Sequence, residues 1–380
     1  MNSRQVNGQA GATKGIETVI IGAGQAGLAT GYHLQRRGRP FLILEGNERV
    51  GDGWRRQWDT LRLYTPAKYD GLPGMPFPGS PWTFPLKDEV ADYLEAYATR
   101  FELPVRTGVR IERVEPREGG YVVTADGERI EADNVVVATG TFGRTPHVPG
   151  FAADLDPGIL QLHSSEYRRP DQLLDGPVLV VGASHSGTDV AYEVASSHPT
   201  ILCGPDHGQI PMNFDSPMVR FIFPVMVFMA RHVITRRTPI GRRGMDEIRH
   251  HGAPMLRVKR ADLEQRGVER LLSRVAGASD GRPVLDDGRA LDVTNIVWCT
   301  GFRQVFDWID LPVIGPDGWP REYRGVVDDA PGLFFCGLSF QYAFSSMVLP
   351  GVGRDAAHVA GRIAASARTG SQARPKAHAA

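Results

Sequence analysis

Cysteine and lysine are scarce in this chain, and no long apolar run interrupts it. Only three cysteines, Cys203, Cys299 and Cys336, occur in 380 residues, and no C-x-x-C is present. That excludes a disulfide scaffold, a dithiol redox pair and a cysteine-rich zinc site. Lysine is confined to Lys14, Lys68, Lys87, Lys259 and Lys376, so arginine supplies most of the 43 basic residues, a compositional bias. Those 43 are balanced by 43 acids, which removes any global electrostatic case for nucleic-acid binding. The longest apolar stretch, Phe221–Ala230, is broken by Pro224 and is too short to span a bilayer. Residues 1–15 are polar and Gly-rich and lack the apolar core of a signal peptide, so a cytoplasmic protein is expected. His250-His251 has no partner at ligand spacing, and no metal site is expected.

What the sequence does contain is an internal echo. TVIIGAGQAGLATGYHL from Thr18 and VLVVGASHSGTDVAYEV from Val178 each read as apolar strand, Gly-rich turn and helix. In the first copy, Gly22, Gly24, Gln25, Ala26 and Gly27 form a G-x-G-x-x-G turn. Glu45 ends the next predicted strand, Phe41–Leu44. Strand, turn, helix and acid at this spacing are the signature of a dinucleotide site. Gly22 makes the turn, and Gly24 lets a pyrophosphate approach the backbone. Gly27 permits close helix–strand packing, and Glu45 accepts from a ribose diol.

In the second copy, Gly182, Ser184, Ser186 and Gly187 mark the turn, with Ser184 in the place of the middle glycine. A serine hydroxyl could itself bond a phosphate. The next strand, Thr200–Cys203, ends in Gly204-Pro205-Asp206. Asp206 leans towards NAD, whereas Arg236, Arg237, Arg242 and Arg243 lean towards NADP if the chain folds back.

Two such units imply two nucleotides, one FAD and one nicotinamide. The expected fold is α/β with two Rossmann-like dinucleotide-binding domains. The FAD domain is discontinuous, 16–160 and 290–368, and the NAD(P)H domain, 161–289, is inserted between them. Residues 1–15 and about 368–380 read as disordered tails.

Further segments resemble the flavin-containing monooxygenases and their bacterial and plant relatives, over about Glu17 to Ala364. Gly51-Asp52-Gly53-Trp54 resembles the family's turn beside the flavin, and VVATG, Val136 to Gly140, its return strand. Cys299-Thr300-Gly301-Phe302 resembles the second crossing between domains, and Pro331–Leu338 the segment along the flavin ribityl chain. Leu162–Tyr167 resembles the end of the family's F-x-G-x-x-x-H-x-x-x-[YFW] motif. Tyr167 stands where Baeyer–Villiger members carry Trp, which places the chain nearer the heteroatom-oxygenating and plant auxin-type branch.

The resemblance implies that Gly53, Trp54, Val109, Thr139, Gly140, Gly301 and Gly337 join the cofactor set. It implies NADPH as donor, with NADH as the other option. It also implies oxygenation of a small organic substrate through a flavin C4a-hydroperoxide, with O2 as co-substrate. The other reading is an FAD-dependent oxidoreductase that passes electrons to a quinone or carrier. Because the cofactor carries the chemistry, no catalytic side chain is assigned. His163 is expected to hinge the domains, touch the nicotinamide, or simply bond backbone. Phe221–Ala230 is expected to form a lid over a substrate pocket shared with the Pro-rich segment Thr65–Pro85. Association with a membrane is not expected, and nothing in the sequence speaks to oligomeric state.

Overall fold

A computed structural model describes residues 13–141, 145–250 and 252–372. The first Gly-rich turn sits in a seven-stranded mixed sheet. Strands Val105–Arg106, Phe41–Leu44, Thr13–Ile21 and Glu128–Val137 run parallel in that order. The N-terminal half of Glu128–Val137 continues into an antiparallel meander with Gly120–Ala125 and Ile111–Arg117, while its C-terminal half pairs in parallel with Leu333–Phe335. Its central residues, among them Ile20, Ile43, Val135 and Val136, are fully buried. Such double-sided burial is why these strands read as continuous β-branched runs rather than alternating ones.

The second Gly-rich turn sits in a separate five-stranded sheet, all parallel, ordered Glu269–Leu271, Thr200–Cys203, Val178–Val181, Asn295–Trp298 and Leu160–His163. The strand Asn295–Trp298 corrects the expected boundary at residue 290. It pairs with Val178–Val181 in register and so belongs to the second sheet, whereas it was expected in the first unit. A run of four apolar residues fits an interior parallel strand in either unit, so only pairing decides its place.

Two antiparallel segments, Thr145–Pro146 and Phe302–Arg303, run side by side between the sheets. His163 closes this junction. It is 2% exposed, its Nε2 lies 3.0 Å from the Gly301 carbonyl and its Nδ1 2.8 Å from Ser165 Oγ, and its ring meets Phe302 edge-on. Burial lowers its pKa, which suits a neutral ring bonded on both sides.

The Pro-rich segment is a packed loop. Tyr69, Trp82 and Phe84 lie against Phe214 and Phe223, so helix Val219–Phe228 covers the loop.

Candidate dinucleotide and flavin site

The first turn is built by contacts that only glycine satisfies. Gly22 has φ +105°, and a Cβ there would lie 2.7 Å from the Ala138 carbonyl oxygen. A Cβ on Gly27 would lie 1.8 Å from the Gly22 carbonyl oxygen, so the helix Gln25–Gln35 rests directly on the turn. A Cβ on Gly24 would meet nothing within 4 Å. The chain is therefore closed where helix meets strand and open where a ligand would approach. The helix carries no acid in its first turn and no side-chain cap, which leaves its positive end available to an anion.

Glu45 lies beside this opening. Its Oε2 accepts from the Ala23 N–H at 2.6 Å, and its Oε1 from the backbone and side chain of Asn47. The carboxylate is thus fixed in orientation, with lone pairs remaining for a diol. Val109, buried, donates its N–H to the Glu45 carbonyl. Ala26 faces Gly337, where a Cβ would come within 2.7 Å of the alanine Cβ. Thr139 and Gly140 follow strand Glu128–Val137, and the Thr139 Cα lies against Gly22. Gln25 donates from its side chain to the Met347 carbonyl, tying the turn to the start of helix Leu349–Gln372. Gly51, at φ +90°, presses on the Ala91 backbone, while Gly53 is open. Trp54 packs against both the first core and the core of the second unit.

The second turn repeats the geometry. Gly182 has φ +108° and approaches the Cys299 carbonyl. A Cβ on Gly187 would lie 1.7 Å from the Gly182 carbonyl oxygen. Helix His185–Val194, which Ser186 helps begin, again has no acid in its first turn. Ser184 departs from expectation, because its hydroxyl donates to the Ala253 carbonyl at 2.8 Å and so stands committed to the chain.

The arginines are also redistributed. Arg236 forms an ion pair at 2.6 Å with the buried Glu322, Arg237 stacks over Tyr342, and Arg242 donates to the Arg237 carbonyl. These side chains are engaged with the 322–342 segment and one another. The arginines around the end of strand Thr200–Cys203 are instead Arg260, paired with Asp206, and Arg270, which donates to the carbonyls of Leu202, Gly204 and Leu271. A signal for Arg270 existed, since it lies in the short strand Glu269–Leu271 that flanks Thr200–Cys203.

A buried polar cluster between the units escaped the sequence reading. The Tyr64 hydroxyl donates to Asp189 Oδ2 at 2.7 Å, His185 meets the Tyr64 ring edge-on, and Arg257 lies over that ring and donates to the Leu63 carbonyl. Asp189 Oδ1 and His185 Nδ1 have no hydrogen-bond partner among the described residues. Burial pushes Asp189 up to about 6 and His185 down to about 4. Asp70, in the Pro-rich loop, is fully buried. It accepts from Thr65 at 2.5 Å, and burial pushes it up to about 7.

A raised carboxyl favours the folded state in its protonated form. Its contribution is complete below the ordinary value of 3.8 and is lost as pH rises through the folded value. Asp70→Asn keeps the Thr65 bond without the charge. Its stability relative to the parent, read from urea midpoints, is expected to rise between pH 4 and 7 and then level off, by a few kcal/mol. A difference independent of pH would refute the assignment.

A cleft of about 520 Å³ opens between the Pro-rich loop, at Lys68, Tyr69, Pro73 and Met75, and the last helix, at Pro350, Gly353 and Arg354, with Arg231 at its side. All three cysteines are buried and unpaired, and burial raises each thiol to about 12, so none is poised as a thiolate. Among the described residues, no group of three or more His, Cys, Asp or Glu side chains converges to hold a metal.

Two dinucleotide-type turns, one on the mixed sheet and one on the parallel sheet, with Trp54 packed against the cores of both units, are the arrangement expected of an α/β pyridine-nucleotide and flavin oxidoreductase. Comparison with known proteins agrees. The pyridine nucleotide-disulphide oxidoreductase family profile matches residues 19–207. The chain is 34% identical to an uncharacterized CzcO-like oxidoreductase of Geobacillus kaustophilus, over 90% of this chain and 97% of that protein. It is 27% identical to the probable indole-3-pyruvate monooxygenase YUCCA9 of Arabidopsis thaliana, over 90% of this chain and 87% of the plant protein. A flavin-containing monooxygenase from Stenotrophomonas maltophilia superposes with a TM-score of 0.72 at 26% identity, covering 93% of this chain and 100% of that one. The chain belongs to this family of flavin-dependent oxidoreductases, the flavin-containing monooxygenases and their relatives.

Proposed function

We propose that the protein uses NADPH and O2 to oxygenate a small organic substrate at bound FAD. The observation that carries this reading is the pair of glycine turns, the first open at Gly24, in one chain that has no accessible thiol pair to receive electrons. Bound FAD, reduced by the nicotinamide, supplies the oxygen chemistry, and the chain binds, orients and shields.

In this reading Gly22, Gly24, Gln25, Ala26 and Gly27 hold the FAD pyrophosphate on the helix N-terminus, and Glu45 holds the ribose. Gly53, Trp54, Val109, Thr139, Gly140 and Gly337 line the remainder. Gly182, Ser186 and Gly187 hold the nicotinamide pyrophosphate through backbone, with Ser184 a support through Ala253. Gly301 turns the second crossing, where its carbonyl lies against His163. The adenosine end lies at Thr200–Cys203, where Arg260 is the cation able to leave Asp206 for a 2′-phosphate, which favours NADPH. Helix Val219–Phe228 and the loop under it exclude water from the reacting region.

The test is stopped-flow absorbance. Anaerobic NADPH is expected to bleach the flavin. Mixing with oxygen should then give a spectrum distinct from both oxidised and reduced flavin, which outlives the reduction and decays faster when substrate is added. Immediate return of the oxidised spectrum, with one equivalent of peroxide released, would overturn the oxygenase reading.

A further inference from the structure

Helix Val219–Phe228 is apolar on two faces. Val219, Phe223 and Val227 are buried against the loop cluster. On the other side Met218, Phe221, Val225 and Phe228 are 56, 73, 61 and 58% exposed. Their spacing of three, four and three residues draws one stripe along the helix. Ile240, in the following helix Pro239–His250, is also 58% exposed. Large apolar side chains grouped on a surface mark an interaction site, whereas scattered ones do not. The inner face of the helix is already seated, so the stripe is not the underside of an open lid.

The charge around the stripe identifies its partner. From Ser216 to Met245 the sequence has six arginines, Arg220, Arg231, Arg236, Arg237, Arg242 and Arg243, and no aspartate or glutamate. This occurs in a chain whose acids and bases balance overall. Arg236 is neutralised by Glu322 and Arg237 is held over Tyr342, which leaves Arg220, Arg231, Arg242 and Arg243 in the segment that carries the exposed apolar residues. A second copy of the chain would bring this face against itself about a two-fold axis, arginine facing arginine. An anionic surface faces no such cost. An apolar stripe edged by arginines fits a bilayer interface, with Phe and Met entering the acyl boundary and guanidinium groups reaching the headgroups.

We propose that Met218, Phe221, Val225 and Phe228, with Arg220, Arg231, Arg242 and Arg243, form a docking surface for an anionic membrane. On this surface the protein binds peripherally, since among the described residues no helix is long and apolar enough to span a membrane. The cleft beside Arg231 then opens close to the lipid. The inference does not depend on the oxygenase reading.

Vesicle co-sedimentation of the flavin-loaded protein tests it. The protein is expected to pellet with phosphatidylcholine vesicles containing about 30% phosphatidylglycerol, far less with pure phosphatidylcholine, and less as salt is raised. The double variant Phe221→Ser/Phe228→Ser should weaken binding by about tenfold or more, and Arg242→Glu/Arg243→Glu by a similar factor. Both are surface changes, and unaltered flavin absorbance and thermal midpoint verify the fold. Absence of pelleting with either vesicle overturns the proposal, as does binding indifferent to both variants. Light scattering that shows a dimer dissociated by Phe221→Ser/Phe228→Ser would assign the stripe to a second copy and overturn it equally.

Discussion

Gly24→Ala is expected to yield a protein that folds normally and purifies without its yellow colour. A Cβ at this position meets nothing in the chain, so the folded state has no reason to change. The same atom occupies the space through which a pyrophosphate would approach the backbone of the first turn. Gly27→Ala makes the necessary contrast. Its Cβ would lie 1.8 Å from the Gly22 carbonyl oxygen and 3.0 Å from the Gly22 carbonyl carbon, and neither is a side chain that can turn away. Helix Gln25–Gln35 must then lift from the sheet, with a loss of about 1–3 kcal/mol or more. Flavin-to-protein absorbance and thermal midpoint separate the two variants, with flavin alone lost in Gly24→Ala and both lost in Gly27→Ala. A Gly24→Ala protein with full flavin content would remove the first turn from the cofactor site.

Gly187→Ala is expected to keep its flavin and lose its response to NADPH. The added Cβ would stand 1.7 Å from the Gly182 carbonyl oxygen, which displaces helix His185–Val194 from the second turn. Trp54, Trp58 and Leu61 join this unit's core to the first glycine turn's side of the molecule. Apart from Trp54, the proposed flavin cradle is built from residues outside this core. A fall of at least about 100-fold in kcat/KM for NADPH corresponds to some 2.7 kcal/mol of lost transition-state stabilisation. Reduction by dithionite should be unaffected. Ser184→Ala removes only the bond to Ala253 and should change the nicotinamide Michaelis constant little. If Gly187→Ala is reduced by NADPH at the parent rate, the nicotinamide does not bind at this turn.

Much of the scaffold was legible in the chain. Phe41–Leu44, Val178–Val181 and Thr200–Cys203 were expected with the limits they have. Each is a short β-branched run closed by Gly or an acid, so local composition marks both ends. The apolar runs at Tyr121–Thr124 and Val135–Thr139 read as strands, and the strands observed are Gly120–Ala125 and Glu128–Val137, the latter beginning earlier and ending two residues sooner. Its first half alternates in a meander exposed on one side, and its second half is buried on both, so a single pattern does not run through it. Val90, Tyr93, Leu94, Tyr97 and Phe101 recur at helical spacing, and the helix covers Lys87–Arg100.

The site was legible to the same depth and no further. A glycine turn is recognisable because its reason is local: the carbonyl that would meet a Cβ at Gly27 belongs to Gly22, five residues away. The pairing of Tyr64 with Asp189 spans 125 residues and leaves no spacing to find. Asp206 was in view beside the strand end, but its partner Arg260 comes from 54 residues later, and the arginines nearer in sequence turn to Glu322 and Tyr342. Ser184 reads equally well as a phosphate ligand or a backbone prop until Ala253 is seen beside it.

The sequence by itself determined the elements whose causes lie within a few residues: the two strand–turn–helix units, the acid at the end of the first, and the absence of a reactive thiol pair. Tertiary structure decided everything that depends on which distant segments meet. It placed Asn295–Trp298 in the second sheet and raised the pKa values of Asp70 and Asp189 by removing them from water. It also turned one face of an apolar helix inward and left the other in solvent. Backbone sterics and hydrophobic period act over one or two turns of chain, whereas burial, pairing and charge neutralisation are properties of neighbours that only the folded chain supplies.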